Sequence, residues 1–356
     1  MQQLLTHTNK IWFSYPETAS ETVLPLFYIR CNFTEVIKNL LQGVSNSVTL
    51  DTLNTTQNQD PLPEIGEFFN SIQTSKQVYK ASLSRQLSAD LSPDVEETTF
   101  KDTAKSWFIK TADFGDDYDQ LLQHPDGRFT QLLEDIARYH QIFQQGYDKI
   151  ILLRPPIYTG YDIQLTAAMQ CLGYTKEQFQ FIIVQPIKLY AFHKANQKIH
   201  PLPDLAAEEL ISAIGMDALR WYSLRVPLTT VAPINISTAG QPDDSLYRVQ
   251  SAHFRCCTLL QQANQEIEAE VCPPLPIAEK LDSLLKAVPQ ILEHSGNEIA
   301  PHLVIQHLET ISEICHQWLD SLSLKPPDYA LLLATKKTIF DLLVNILNVT
   351  APEPGN

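Results

Sequence analysis

Two four-residue runs without a polar side chain, Ile150-Ile151-Leu152-Leu153 and Phe181-Ile182-Ile183-Val184, constrain the fold of this chain most. A strand wetted on one face alternates polar and apolar residues. A strand that is apolar at every position suits burial on both faces. Between the two runs, residues 162–172 read as a helix, with Gly173 as its C-terminal stop. Strand, helix and strand in that order predict a parallel sheet with a right-handed crossover.

The rest of the chain is organised around this unit. Residues 24–30 read as a strand with Pro25 near its start. Residues 33–41 read as a helix with Thr34 as its cap. Residues 44–64 carry no Lys or Arg and are rich in Ser, Thr, Asn, Gln and Pro, the composition of a linker. A helix over 65–89 is expected on Ile65, Phe68, Phe69, Ile72, Val78, Tyr79 and Leu83, followed by a loop over 90–99. Trp107-Phe108-Ile109 reads as a strand and residues 131–147 as a helix. From residue 205 the pattern is helical to the end. It is clearest over 328–348, where Leu332, Leu333, Ile339, Phe340, Leu343, Val344, Ile346 and Leu347 fill one broad arc suited to a bundle.

Charge limits the partners. The net charge of -15 is uneven: residues 207–356 carry 9 basic and 18 acidic side chains, against 11 and 12 over 101–206. Nucleic-acid binding draws much of its affinity from Lys and Arg on phosphates. Strong non-specific RNA binding therefore does not follow from this composition. No apolar run reaches the roughly 18 residues of a membrane span, and the first residues lack a basic region followed by an apolar core. A cytoplasmic protein is expected. The six cysteines have no Cys-x-x-Cys spacing, and Cys256 and Cys257 are neighbours that point apart on a helix, so reduced thiols are expected.

Metal and phosphate motifs are weak. Asp113, Asp116, Asp117 and Asp119 crowd into seven residues, but without the spacing or closing Glu of a calcium loop. His302 and His307 would stand about 140° apart around a helix, and His302 and His316 roughly 21 Å apart along one. No metal is predicted. There is no glycine-rich phosphate motif and no G-x-S-x-G.

Longer stretches carry a family resemblance. Ile214-Gly215-Met216-Asp217-Ala218-Leu219-Arg220 and Tyr247-Arg248-Val249-Gln250-Ser251-Ala252-His253-Phe254-Arg255 resemble the start of the helical anticodon-binding domain of arginyl-tRNA synthetases. Upstream, Phe114-Gly115-Asp116-Asp117, Asp126-Gly127-Arg128-Phe129-Thr130, Asp135-Ile136-Ala137, Gly160-Tyr161 and Leu172-Gly173-Tyr174 continue the resemblance in order, so that it covers roughly residues 104–356. The resemblance implies a partial class I synthetase sheet, Rossmann-like and parallel, followed by an all-α bundle. Four segments are expected: a small N-terminal α/β segment (1–43), a linker and helix (44–103), a truncated synthetase-like α/β domain (104–204) and the helical domain (205–356).

The departures fall where the chemistry would be. The chain has no His-x-Gly-His and no Lys-Met-Ser-Lys. The family's Gly-Ala-Asp-His-His-Gly-Tyr is here Pro155-Pro156-Ile157-Tyr158-Thr159-Gly160-Tyr161, and proline removes backbone donors. The family's Tyr in its Thr-Tyr pair is Gln131. Asp135, Gln131 and Tyr161 are what the resemblance implies of an arginine pocket. Lys194 and Lys198 stand where the family's Lys-Met-Ser-Lys loop belongs. In the helical domain, Arg220, Arg225, Tyr247, Arg248, Gln250, His253, Arg255, Trp318, Lys336 and Lys337 are the candidates for contacting tRNA, through phosphates or by stacking on unpaired bases. The expected function is a catalytically degenerate synthetase-like protein that binds tRNA, arginine isoacceptors among them, in the service of another enzyme. Two alternatives stand beside it. One is a protein-contact scaffold that has lost RNA binding. The other is residual arginine–tRNA ligase activity that needs a partner, the one case that calls for ATP.

Overall fold

A computed structural model describes residues 10–16, 30, 33–44, 47–53, 65–82, 105–193, 198–241, 244–263, 275–321 and 328–355. In chain order the strands are β1 (Lys10–Pro16), β2 (Ser47–Leu53), β3 (Val78–Ser82), β4 (Lys105–Ile109), β5 (Gln120–Gln123), β6 (Lys149–Arg154), β7 (Phe179–Ile183), β8 (Ile187–His193), β9 (Lys198–Pro201) and β10 (Ala232–Asn235). The helices are α1 (Thr34–Gln42), α2 (Ile65–Ile72), α3 (Gln131–Gln144), α4 (Thr159–Cys171), α5 (Ala207–Ile214), α6 (Met216–Leu224), α7 (Ser245–Ala263), α8 (Pro276–Glu298), α9 (Pro301–Ser321) and α10 (Tyr329–Phe340). A π-helical turn, Asp341–Ile346, continues α10. The described residues form two compact units, one within 1–17 and 49–182, the other within 18–48 and 183–356.

The first unit is built on the apolar run of β6. Ile150, Ile151, Leu152 and Leu153 are all fully buried, as a strand covered on both faces requires. β6 lies between β1 and β7 in a sheet of order β2-β1-β6-β7. β1 runs parallel to it, from Ile11 beside Lys149 to Ser14 beside Leu152. α4 connects β6 to β7, as the strand–helix–strand reading requires. α3 starts where the Thr130 side chain accepts from the Leu133 amide, and it buries Leu133, Ile136 and Tyr139 in the core of this unit. A separate antiparallel sheet of order β3-β4-β5 packs beside α2, with Phe69 edge-on to Trp107.

The second unit holds a three-stranded sheet of order β10-β8-β9 and the C-terminal helices. β8 and β10 are parallel, β8 and β9 antiparallel. α1 lies so close to α8 that a Cβ at Gly296 would stand 2.7 Å from the Leu40 carbonyl oxygen, which only glycine permits. Arg30, fully buried, holds the loop between α6 and β10. Its guanidinium donates to the carbonyls of Ser223, Gln185, Leu228, Thr230, Val226 and Pro227, at 2.5–3.2 Å.

Several expectations need correction. The helix expected over 65–89 stops at Ile72, and Val78 and Tyr79 lie in β3, paired with Ile109 and Phe108. A β-branched and an aromatic side chain next to a partner strand outweigh helical spacing. Within the 44–64 linker, residues 47–53 form an edge strand beside β1. The helical reading from 205 onward is interrupted by β10. Phe33, not Thr34, precedes the first turn of α1, and it makes no side-chain cap. Arg30 is helical rather than the end of a strand, and residues 24–29 and 90–99 lie outside the described residues. The two units also divide elsewhere than the four expected segments, because β1 pairs with β6 while α1 packs on α8. Among the described residues, no helix is long and apolar enough to cross a membrane.

Candidate functional site

Of the ten residues singled out for RNA, four (Arg220, Gln250, His253 and Lys336) grip the chain's own C-terminal segment. Asp217 and Arg220 lie one turn apart on α6 and form an ion pair at 3.8 Å. Arg220 also donates to the Asn348 carbonyl, and its guanidinium faces the Phe33 ring. Asp217 accepts from the amide and the hydroxyl of Thr350. Gln250, on α7, donates to the Thr350 carbonyl at 2.9 Å. His253, one turn further on, has 0 % exposure and bonds through Nδ1 to the Pro352 carbonyl at 3.0 Å. Burial, ahead of any charged neighbour, depresses the pKa of this imidazole, which keeps it neutral. Lys336 pairs with Glu353 at 2.9 Å, and that contact holds its ammonium above the ordinary lysine range. The Asp and Arg of the Asp-Ala-Leu-Arg segment, with Gln250, His253 and Lys336, thus seat residues 348–353.

His253 and Trp318 are corrections. Trp318 is 1 % exposed in the bundle core, so neither ring is open to a base. A helix places three or four of every seven residues on its buried stripe, and these two fall on it. The remaining cations are partly engaged. Arg225 pairs with Glu309 at 2.7 Å. Arg255 donates to His316 Nδ1 at 2.8 Å and to Asp320 at 2.6 Å. Arg248 and Lys337 are exposed.

Besides Lys337 on α10, what stays open of these candidates is one strip of α7. Tyr247 is 47 % exposed and Phe254 is 42 % exposed. Seven residues apart, they stand on the same helical face about 10.5 Å from one another, with Arg248 beside Tyr247 and Arg255 beside Phe254. Sequence reasoning missed Phe254. The signal was its seven-residue distance from Tyr247, the only interval that keeps two aromatic rings on a shared wet face across two turns.

In the first unit, Asp135, Gln131 and Tyr161 do converge. The Tyr161 hydroxyl donates to Asp135 at 2.5 Å and the Gln131 amide donates to it at 3.2 Å, with Arg138 at 3.9 Å. Burial first, then the Asp135 charge, pushes the Tyr161 hydroxyl far above the usual phenol range. Of the aspartate cluster, Asp119 accepts from the Tyr79 hydroxyl and the Ala112 amide, and Asp116 from the Asp117 amide and Gln120. These bonds shape a turn. Lys198 lies on β9, and Lys194 falls outside the described residues. Among the described residues, His253, Cys257 and Glu353 come together with their ligand atoms within 4.8 Å. The Lys336 ammonium supplies the positive charge at that point.

Comparison with known proteins gives this geometry a context. A family model described as the DALR anticodon binding domain matches residues 249–354. The chain is 30% identical over 272 residues to an arginine–tRNA ligase of Oceanobacillus iheyensis, covering 72% of this chain and 49% of the relative. It is 27% identical over 331 residues to that of a Synechococcus strain, covering 83% and 53%. The chain therefore spans about half the length of the curated relatives it matches. Thermus thermophilus arginyl-tRNA synthetase shares its fold with a TM-score of 0.71 at 11% identity, over 96% of this chain and 82% of that one. The chain is an arginyl-tRNA synthetase-like protein, shorter than its curated relatives, that carries a DALR anticodon-binding domain.

Proposed function

We propose that this protein is a catalytically silent relative of arginyl-tRNA synthetases that binds tRNA, arginine isoacceptors included, in the service of another enzyme. The observation that carries the reading is the Tyr247, Arg248 and Phe254 strip on α7, which straddles residue 249, the first of the DALR match. Exposed aromatic rings beside cations are the surface on which unpaired bases stack and phosphates settle. Silence in catalysis rests on the absence of His-x-Gly-His and Lys-Met-Ser-Lys from the chain, since adenylate formation needs cations placed on the phosphates of ATP. Binding of tRNA, arginine isoacceptors against bulk, across a salt series tests the first half. Salt-sensitive and selective binding is expected, and absence of binding at low salt overturns the reading. Arginine-dependent pyrophosphate exchange tests the second half, with no exchange expected. Activity appearing only with a second protein would favour the ligase alternative and bring ATP in as a cofactor.

The scaffold reading has its own support. Arg225, Arg255 and Lys336 each stand within 3 Å of a carboxylate, and residues 207–356 carry twice as many acidic as basic side chains. If tRNA fails to bind at any salt concentration, a protein partner is the remaining use for this surface.

A further inference from the structure

Independently of tRNA, the helical bundle brings two thiols together. Cys256 on α7 and Cys315 on α9 are both fully buried, and their sulfurs stand 3.7 Å apart. Polar contacts between the two helices flank this pair. Ser312 Oγ donates to the Arg248 carbonyl at 3.0 Å, and His316 Nε2 donates to the same carbonyl at 2.9 Å. Arg255, the residue before Cys256, donates to His316 Nδ1 at 2.8 Å and to Asp320 at 2.6 Å. Burial by itself accounts for one thiol in a core, since a cysteine packs as a small hydrophobe. It does not account for two that meet across a helix pair held at this spacing by polar bonds. Cys257 points elsewhere: its sulfur lies 3.7 Å from His253 Nε2, so α7 offers one thiol to α9 and not two.

A disulfide holds its sulfurs about 2.0 Å apart, so the pair must close by roughly 1.7 Å, a shift of side-chain size. We propose that Cys256 and Cys315 form a redox-sensitive latch between α7 and α9, open as two thiols at rest and closed as a disulfide by hydrogen peroxide. One sulfur loses its proton and attacks the peroxide. It keeps one oxygen as a sulfenic acid, and the other leaves with that proton as water. The second sulfur then attacks the first, the S–S bond forms, and the sulfenic oxygen departs with the second thiol's proton as water. In sum each thiol gives up one proton and one electron, and the peroxide is reduced to two waters. The partner thiol first, then burial, holds the Cys256 thiol far above its ordinary range, and the thiolate is the reactive form. The latch therefore closes slowly and answers sustained oxidation. Closing it ties the helix that carries Tyr247 and Phe254 covalently to α9, across 59 positions of sequence, and so restricts the unfolded chain.

The test treats the full chain with hydrogen peroxide, alkylates the remaining thiols and maps the cysteine-bearing peptides by mass spectrometry. The expected product is one cross-linked pair, Cys256 with Cys315, lighter by two hydrogens than the reduced pair. The melting temperature should rise with it by about 4 °C or more, and dithiothreitol should reverse both changes. Cys315→Ser should show neither. Three results overturn the proposal: a sulfinic or sulfonic acid at either position without a cross-link, a bridge from either to another cysteine or a second molecule, or two free thiols under conditions that oxidise the half-buried Cys171. A cross-link that leaves the melting temperature unchanged overturns it as well. If Cys315→Ser does not fold, the peptide map and the reversal by dithiothreitol in the unmutated chain decide.

Discussion

At the residue scale, two buried charges separate the roles that burial imposes. Arg30 has six backbone carbonyls around one guanidinium, so its removal leaves acceptors buried without donors. Arg30→Met is expected to cost at least about 3 kcal/mol, measured as a lowered denaturation midpoint. An unchanged midpoint would contradict the assignment. Asp162 is the opposite case. Burial outweighs the nearby Arg154 charge and pushes its pKa up to about 6. The folded state then binds its proton more tightly than the unfolded state. This group therefore gains stability for the fold as pH falls from about 6 toward the ordinary carboxylate range, and takes it away as pH rises through 6. The imidazoles of His140 and His253, both depressed by burial, act in the other direction below their ordinary pKa. The difference between the unmutated chain and Asp162→Asn isolates the aspartate. The difference in stability between the two should change between pH 4 and 6 and stay flat above 7, and a constant difference across that range would refute the shift.

At the scale of elements, α6 and α7 do different work with residues that read alike in sequence. α6 turns Asp217 and Arg220 toward residues 348–350, so Arg220→Ala should release the C-terminal segment. The expected result is faster amide exchange at Thr350 and a stability loss of about 1–2 kcal/mol. α7 spends Gln250 and His253 on the same segment and keeps Tyr247 and Phe254 in solvent. Replacing either exposed ring by alanine should weaken tRNA binding by about 1–3 kcal/mol and leave the thermal midpoint unchanged. If both variants bind as the unmutated chain does, α7 is not the RNA surface.

At the scale of the molecule, net charge sets the kind of binding available. With a charge of -15, and with Arg225, Arg255 and Lys336 already paired with carboxylates, few of the candidate cations of the helical domain remain for phosphates. Arg248 and Lys337 are exposed among the described residues. A salt slope of about -1.4 is expected for tRNA from these two cations, on the basis of roughly 0.7 counterions released per phosphate contact on single strands. Arg248→Ala should reduce it by about one half to one. A slope several times steeper would place the binding surface elsewhere.

The sequence by itself determined what depends on local pattern. The apolar run at 150–153 demanded a strand covered on both faces; the run at 181–184 overlaps the edge strand β7, where Phe181 and Ile183 are only partly buried; and the broad apolar arc of residues 328–348 demanded a bundle helix. The Asp-Ala-Leu-Arg segment and its neighbours carried the family. Tertiary structure decided everything that depends on distant neighbours. Val78 and Tyr79 fit a helix by spacing and a strand by partner, and β4 supplied the partner. The cation of Arg30 looked like the end of a strand until six carbonyls, from residues 155 to 200 positions away, closed around it. Gln250 and His253 belong to a run that reads as RNA-binding, but their hydrogen bonds go to carbonyls about 100 residues later in the chain. Side-chain type and spacing fix what a residue is able to bond. Which partner it bonds is settled only when the fold brings the candidates together, because a buried polar group must take the donor or acceptor within its reach.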